Sequence, residues 1–318
     1  MERIHIGGRV YADPDVLSLI RTGVQPVDPQ LEVVREAREL NQRLRKWGDV
    51  PEPRQRLAIL ASLAGLKISE MSGCGLGVGT REALVYRETD GSQRIYYDPT
   101  LPEGRVNFSI AHEIVHTFFP SSASGARFRT LCADGSKEAT ELERLCHRGA
   151  AELLMPIEEF AKELGGDIGL AAVPRLCQRF GSSYEATVYR LATASNKIVI
   201  AGSLHFRYRK EEERRLTGAR QPFLFQGFSD GELPQRKYRR QSVHTSDACG
   251  RQHIVPWNKS FDENSCVYRA AARSGIQFGR ETLPNRCDDL GMIEAIRAPF
   301  QRTETESGNP DILFLWWQ

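Results

Sequence analysis

The stretch FSIAHEIVHTFF, residues 108–119, decides how the rest of the chain is read. It sets His112, Glu113 and His116 in the order H-E-x-x-H among Phe108, Ile110, Ala111, Ile114, Val115, Phe118 and Phe119. That apolar density predicts a largely buried helix, starting near Asn107 as N-cap and stopping at Pro120. On a helix, residues four apart share a face, so both imidazoles point the same way. Two imidazoles so placed can grip one tetrahedral zinc ion. Glu113, beside the first, can reach a water on the open position and is the candidate general base. The competing reading is a buried helix with two satisfied core histidines, because unpaired ones would cost stability there.

Such a site needs a third ligand. The next predicted helix lies in KEATELERLCHRGAAELLMP, residues 137–156, and Glu143 is its best candidate. Glu138 and Glu141 are weaker candidates on the same stretch. His147 lies one turn beyond Glu143 on the same face, as an outer partner of a ligand or an alternative ligand. Cys132 falls in the loop between the two helices. A thiolate there could take the position that water needs and hold the enzyme off; the alternative is an ordinary loop thiol. Cys146 reads as core.

RVNFSIAHEIVHTFF followed by ELERLCHRGAAELLMP resembles the ImmA/IrrE zinc metallopeptidases. Their pattern is roughly F-x-x-A-H-E-x-x-H, then a helix E-x-x-A/C-N-x-x-A-A-x-L-L-M-P. The second motif is the specific one, since H-E-x-x-H occurs in many unrelated peptidases. The likeness covers about residues 55–195. It implies one Zn2+ per chain, with His112, His116 and Glu143 as ligands and Glu113 as general base. The chain departs from the pattern at His147, where Asn or Asp is usual, and at Gly149, where an apolar residue is common. The Gly149 departure predicts weakened helix packing. The resemblance further implies a site-specific endopeptidase that cleaves a helix-turn-helix transcriptional repressor, derepressing phage, mobile-element or DNA-damage genes. A looser likeness is to the CapP-type peptidases beside CBASS anti-phage operons.

With 318 residues, the chain is long for one core and predicts two domains. Hydrophobic residues at 40% and charged residues at 26% describe an ordinary globular protein. The sequence holds no run of about 18 apolar residues, and its start lacks the apolar core of a signal peptide. Seven scattered cysteines without CxxC spacing read as reduced thiols. These features predict a cytoplasmic protein with no membrane partner. A net charge of +2 leaves nucleic-acid binding to a local patch.

The expected organisation begins with an irregular arm over residues 1–30. Helices follow at Leu31–Trp47 and Gln55–Leu66, then a small sheet in which Ala83–Arg87 pairs with Arg94–Tyr97. Beyond the metal helices come Ile157–Leu164, Ala171–Phe180 and Tyr184–Ala192, the last two with a helix-turn-helix look or plain helical packing. A boundary is placed near residue 198. The predicted fold class is α+β: a helical zincin-like metallopeptidase domain with a small sheet (1–198), then a strand-rich mixed sensor domain (199–318).

In that second domain, residues 206–241 interleave basic and aromatic side chains. Arg207, Arg209, Lys210, Arg236, Lys237, Arg239 and Arg240 are candidates for phosphate contacts. Phe206, Tyr208, Phe223, Phe225 and Tyr238 are candidates for stacking on bases, a mixture that suits single-stranded DNA. The alternative is a solvated basic edge strand that guards against aggregation. The rival functions are a DNA-binding regulator with a structural metal, and a catalytically inactive peptidase-like interaction module.

Overall fold

A computed structural model describes residues 2–22, 25–71, 82–119, 137–166, 168–218, 234–249, 255–284, 290–300 and 308–318. The chain divides into two units, Met1–Glu163 with Arg175–Ser183, and Leu164–Pro174 with Tyr184–Gln318. This division falls earlier than the boundary expected near residue 198.

In the first unit, the start of the chain is not an irregular arm. Strands β1 (Ile4–Ile6) and β2 (Arg9–Tyr11) pair as a hairpin, and helix α1 (Pro14–Ile20) buries Val16, Leu17, Leu19 and Ile20. The Asp13 carboxylate caps α1 by accepting from the Asp15 and Val16 N–H groups, and Pro14 presets the first turn. The same acid-proline start opens α2 (Pro29–Arg45) after Asp28 and α3 (Pro53–Leu63) after Glu52. Helix α2 buries Val33, Ala37, Leu40 and Leu44, an apolar stripe at helical spacing on an otherwise charged helix.

Strands β3 (Leu66–Glu70), β4 (Ala83–Arg87) and β5 (Gln93–Tyr97) form a sheet in the order β3-β5-β4. The expected hairpin is there, with Ala83 opposite Tyr97 and Arg87 opposite Gln93. Helix α4 (Glu103–His116) follows, then α5 (Lys137–Leu154) and α6 (Ile157–Leu164).

Gly149 sets how closely these helices approach. A Cβ there would lie 2.7 Å from Cγ1 of Val115 on α4 and 2.7 Å from Cγ1 of Val33 on α2. The bare backbone therefore lets α5 sit tightly against both helices, which corrects the expectation that this glycine weakens packing. Glu152, buried on α5, accepts from Arg38 Nε at 3.0 Å, and Asn41 Nδ2 donates to its carbonyl at 3.1 Å. These bonds fix the α2–α5 register.

Helix α7 (Val173–Phe180) follows a short 3-10 turn, Leu170–Ala172; helix α8 (Tyr184–Thr193) belongs to the second unit. That unit is built on strands β6 (Val199–Arg207), β7 (Lys237–Thr245), β8 (Gln277–Thr282), β9 (Leu290–Arg297) and β10 (Ile312–Trp317). All neighbours are antiparallel, in the order β7-β6-β10-β9-β8. Strand β10 is central, and Ile312, Leu313, Phe314, Leu315 and Trp316 are buried on both of its faces. Helix α10 (Cys266–Ala272) packs against Ile312, Phe314 and Trp316, together with Ile200, Leu204, Ile293 and Ala295. The opposite face carries Ser203 and its register partner Leu313; there Tyr189 of α8 bonds to Ser203. A helix α9 (Lys210–Gly218) interrupts the strands. No helix among the described residues is long and apolar enough to cross a membrane.

Candidate metal centre

Helix α4 begins at Glu103 behind Pro102, four residues before the expected N-cap at Asn107. Asn107 is buried inside the helix, where its Nδ2 donates to the Gly181 carbonyl at 2.9 Å. The helix ends at His116, with Thr117 as C-cap.

His112 and His116 lie four positions apart on the helix, and their Nε2 atoms face each other at 3.0 Å. Glu143 of α5 brings Oε2 to 3.0 Å from His112 Nε2 and Oε1 to 3.9 Å from His116 Nε2. Ligand atoms on a tetrahedral zinc with bonds of about 2.0–2.1 Å lie about 3.3 Å apart. The convergence of two ring nitrogens and a carboxylate at that spacing fits a metal ion. Glu113 follows His112 on the helix and is half-buried.

The residues around this cluster refine the picture. Cys146, fully buried, places Sγ 3.2 Å from His116 Nδ1, the nitrogen that faces away from Glu143. It is thus more than the packing residue the sequence suggests, because a partner on Nδ1 fixes the tautomer and aim of Nε2. His112 Nδ1 is buried with no hydrogen-bond partner among the described residues. The His147 ring lies 5.0 Å from that of His112 and 5.6 Å from that of Phe108. His147 is exposed at the surface, and partial desolvation by the surrounding protein, then the neighbouring His112, pulls its pKa below the ordinary histidine value. His112, Glu143 and His147 form one grouping that could hold a metal, and His112, His116 and Cys146 another. Among the described residues, groupings of this kind occur only here.

Glu82 was not foreseen. Burial pushes its carboxyl up, but hydrogen bonds from Arg105 and Ser109 (2.9 Å) outweigh this and hold it below the usual range. The resulting carboxylate acts on His112 across the sheet–helix junction. Glu141, the weaker ligand candidate, is spent elsewhere: its Oε2 accepts from Ala12 N at 3.1 Å, tying the N-terminal segment to α5. Glu138 carries no described side chain, and Cys132 lies outside the described residues.

The basic and aromatic candidates of the second unit do not share one surface. Tyr238 is 1% exposed and its hydroxyl donates to the Pro310 carbonyl, so it cannot stack on a base. Arg239 is 3% exposed and donates to the Arg207 and Asn258 carbonyls at 3.3 and 2.8 Å. Both are parts of the core, which corrects their reading as contacts. Lys237 is paired with Glu263 at 3.0 Å, and Arg209 bonds to Glu212 through its N–H at 2.8 Å. Arg236 lies over the Tyr208 ring at 5.0 Å. Arg207, Lys210 and Arg240 instead gather around Trp257, at 5.5, 5.1 and 4.5 Å from its ring centre. Phe223 and Phe225 lie outside the described residues.

Residues 69–192 match the family model of the IrrE N-terminal-like domain, a peptidase family. This segment holds the H-E-x-x-H helix, Glu143 and most of the small sheet, so residues 69–192 are similar to that domain. Among solved structures, the chain is similar to a Mycobacterium tuberculosis transcriptional regulator, with TM-score 0.56 and 14% identity over 92% of this chain and 76% of that one. At that identity the likeness is one of fold. No curated protein matches the chain.

Proposed function

We propose that the chain is a zinc-dependent, site-specific endopeptidase that cleaves a helix-turn-helix transcriptional repressor in the cytoplasm, in response to a stress or phage signal. The observation that carries the chemistry is that His112 Nε2 lies 3.0 Å from both His116 Nε2 and Glu143 Oε2, with Glu143 Oε1 3.9 Å from His116 Nε2, beside Glu113. His112, His116 and Glu143 would hold the ion, with His147 and Cys146 as the outer partners. Zinc bound there would supply Lewis acidity toward a peptide carbonyl and lower the pKa of a water. The Glu113 carboxylate takes a proton from the attacking water and returns it to the leaving amine. The Cys146 sulfur accepts from His116 Nδ1–H and keeps Nε2 free to face the ion. With three protein ligands of this kind, a bound zinc would keep a position open for water and substrate.

The repressor as substrate, single-stranded DNA as a signal and the CapP-type assignment are supported by motif resemblance. A second reading, a DNA-binding regulator with a structural metal, draws on the fold of the transcriptional regulator above. Glu113→Gln separates them. The enzyme reading predicts unchanged zinc content and a loss of repressor cleavage of about 10²–10⁴-fold. Cleavage at the native rate by a zinc-loaded Glu113→Gln protein would contradict it.

A further inference from the structure

The second unit holds a cationic cluster that peptide hydrolysis does not use. Arg207 at the end of β6, Lys210 at the start of α9 and Arg240 on β7 meet around Trp257, which is 44% exposed. The guanidiniums are held by backbone carbonyls, with Arg207 Nη2 donating to Arg240 O at 2.6 Å and Arg240 Nη1 donating to Val255 O at 2.7 Å. The Nε atoms of Arg207 and Arg240 are buried without a hydrogen-bond partner. Buried Arg239 lies beneath them, bonded to the Arg207 carbonyl. Among the described residues, no carboxylate forms an ion pair with Arg207, Lys210 or Arg240; Glu213 only acts on Arg207 electrostatically. Other cations of this unit find acids, as Lys237 does with Glu263 and Arg269 with Glu281.

We propose that Arg207, Lys210, Arg240 and Trp257 form a binding site for a phosphate group carried by a nucleotide or a nucleic-acid strand. Like charges drawn together and partly desolvated are costly without an anion among them. A phosphate spreads its charge over several oxygens and can accept from several guanidinium forks and an ammonium at once. The exposed part of the indole offers the flat apolar surface that a base or sugar attached to that phosphate would cover. Burial lowers the pKa of Arg207, Arg239 and Arg240 from the ordinary arginine value, in keeping with a cluster short of counter-charge.

The site deepens the reading of the second unit as a sensor and does not rest on the zinc chemistry. Binding is therefore measured by itself, on full-length Glu113→Gln protein. Three probes are compared: a fluorescein-labelled oligo-dT strand, AMP and inorganic phosphate. The site predicts that the strand or AMP binds more tightly than inorganic phosphate. Arg207→Gln with Arg240→Gln should weaken it at least about tenfold and lower the salt slope by about one to two. Trp257→Ala, at an exposed position, should weaken it about tenfold with no effect on folding. Displacement of the strand by AMP assigns a nucleotide as the ligand; a strand that binds where AMP does not assigns nucleic acid. Either result supports the site. No binding of any probe, equal affinity for AMP and inorganic phosphate, or unchanged binding by Trp257→Ala would overturn it. Loss of cleavage in the zinc-loaded enzyme with binding intact would instead count against the peptidase reading alone.

Discussion

Two regions offered chemistry in the sequence: the helix pair α4 and α5, and the strand pair β6 and β7. In the helices, sequence spacing maps directly onto space. His112 and His116 share a face because 3.6 residues make a turn, and only the pairing of α4 with α5 was needed to add Glu143. In the strands, neighbours alternate between faces, and both faces of this sheet are packed near its centre. A register irregularity between Ser203 and Leu204 further changes which β7 residues turn outward. The run Lys237, Tyr238, Arg239, Arg240 therefore splits into an ion-paired residue, two core residues and one member of a surface cluster. A basic-aromatic run in a strand says less about a surface than a histidine pair on a helix says about a metal.

The largest effect should come from the close approach under the metal helices. Gly149→Leu drives side-chain atoms into Val115 and Val33, and should cost about 3 kcal/mol or prevent folding, as read by urea unfolding. A loss below about 0.5 kcal/mol would mean that α5 is not held against α2 and α4 in this way. Next, Cys146→Ala should weaken zinc binding about 10–100-fold in a chelator competition while leaving the fold intact. Unchanged zinc affinity would return Cys146 to a plain packing role.

Effects in the strand pair should be smaller and structural. Tyr238→Phe removes the bond to Pro310 O and should cost about 1 kcal/mol with nucleic-acid binding unaffected. Burial, with Tyr268 and Asp311 nearby, pushes the Tyr238 phenol up to about 12. Its folded pKa is thus above the unfolded value near 10, so its contribution is complete below about pH 10 and is lost as pH rises through about 12. The alkaline fall in stability should flatten in Tyr238→Phe, and an identical pH profile would show that the phenol titrates as if exposed. Smallest of all, Lys237→Gln breaks a partly exposed pair with Glu263 and should change stability by less than about 1 kcal/mol, with oligo-dT affinity unchanged within about twofold. A tenfold loss of affinity would move Lys237 back into the contact surface.

Much of the first unit was legible for local reasons. The helix pair, the β4–β5 hairpin and the helix Ile157–Leu164 follow from periodicity, turns and prolines close by in sequence. The N-terminal segment was misread although its signal was present: Asp13-Pro14 announces a helix as plainly as Asp28-Pro29 does. The start of α4 was misplaced because Asn107 looks like a cap, while its side chain is committed to Gly181, distant in sequence. Strand β7 was hidden because KYRRQSVHT is polar, and only its pairing with β6 and the burial beneath it make it a strand. Trp257 has no neighbours in sequence that mark it; the cluster around it is assembled by β6, α9 and β7. Glu82 was missed for the same reason, as it meets Arg105, Ser109 and His112 only once the sheet and α4 are packed together.

The most direct test of the central claim is the metal content of the purified chain beside that of Glu143→Ala. The proposed site predicts about one zinc per native chain and a large loss in a variant that still folds, since Glu143 is the carboxylate that α5 brings to the histidine pair. A folded native chain that takes up no zinc when it is supplied, or a Glu143→Ala chain that holds it as tightly, would contradict the account.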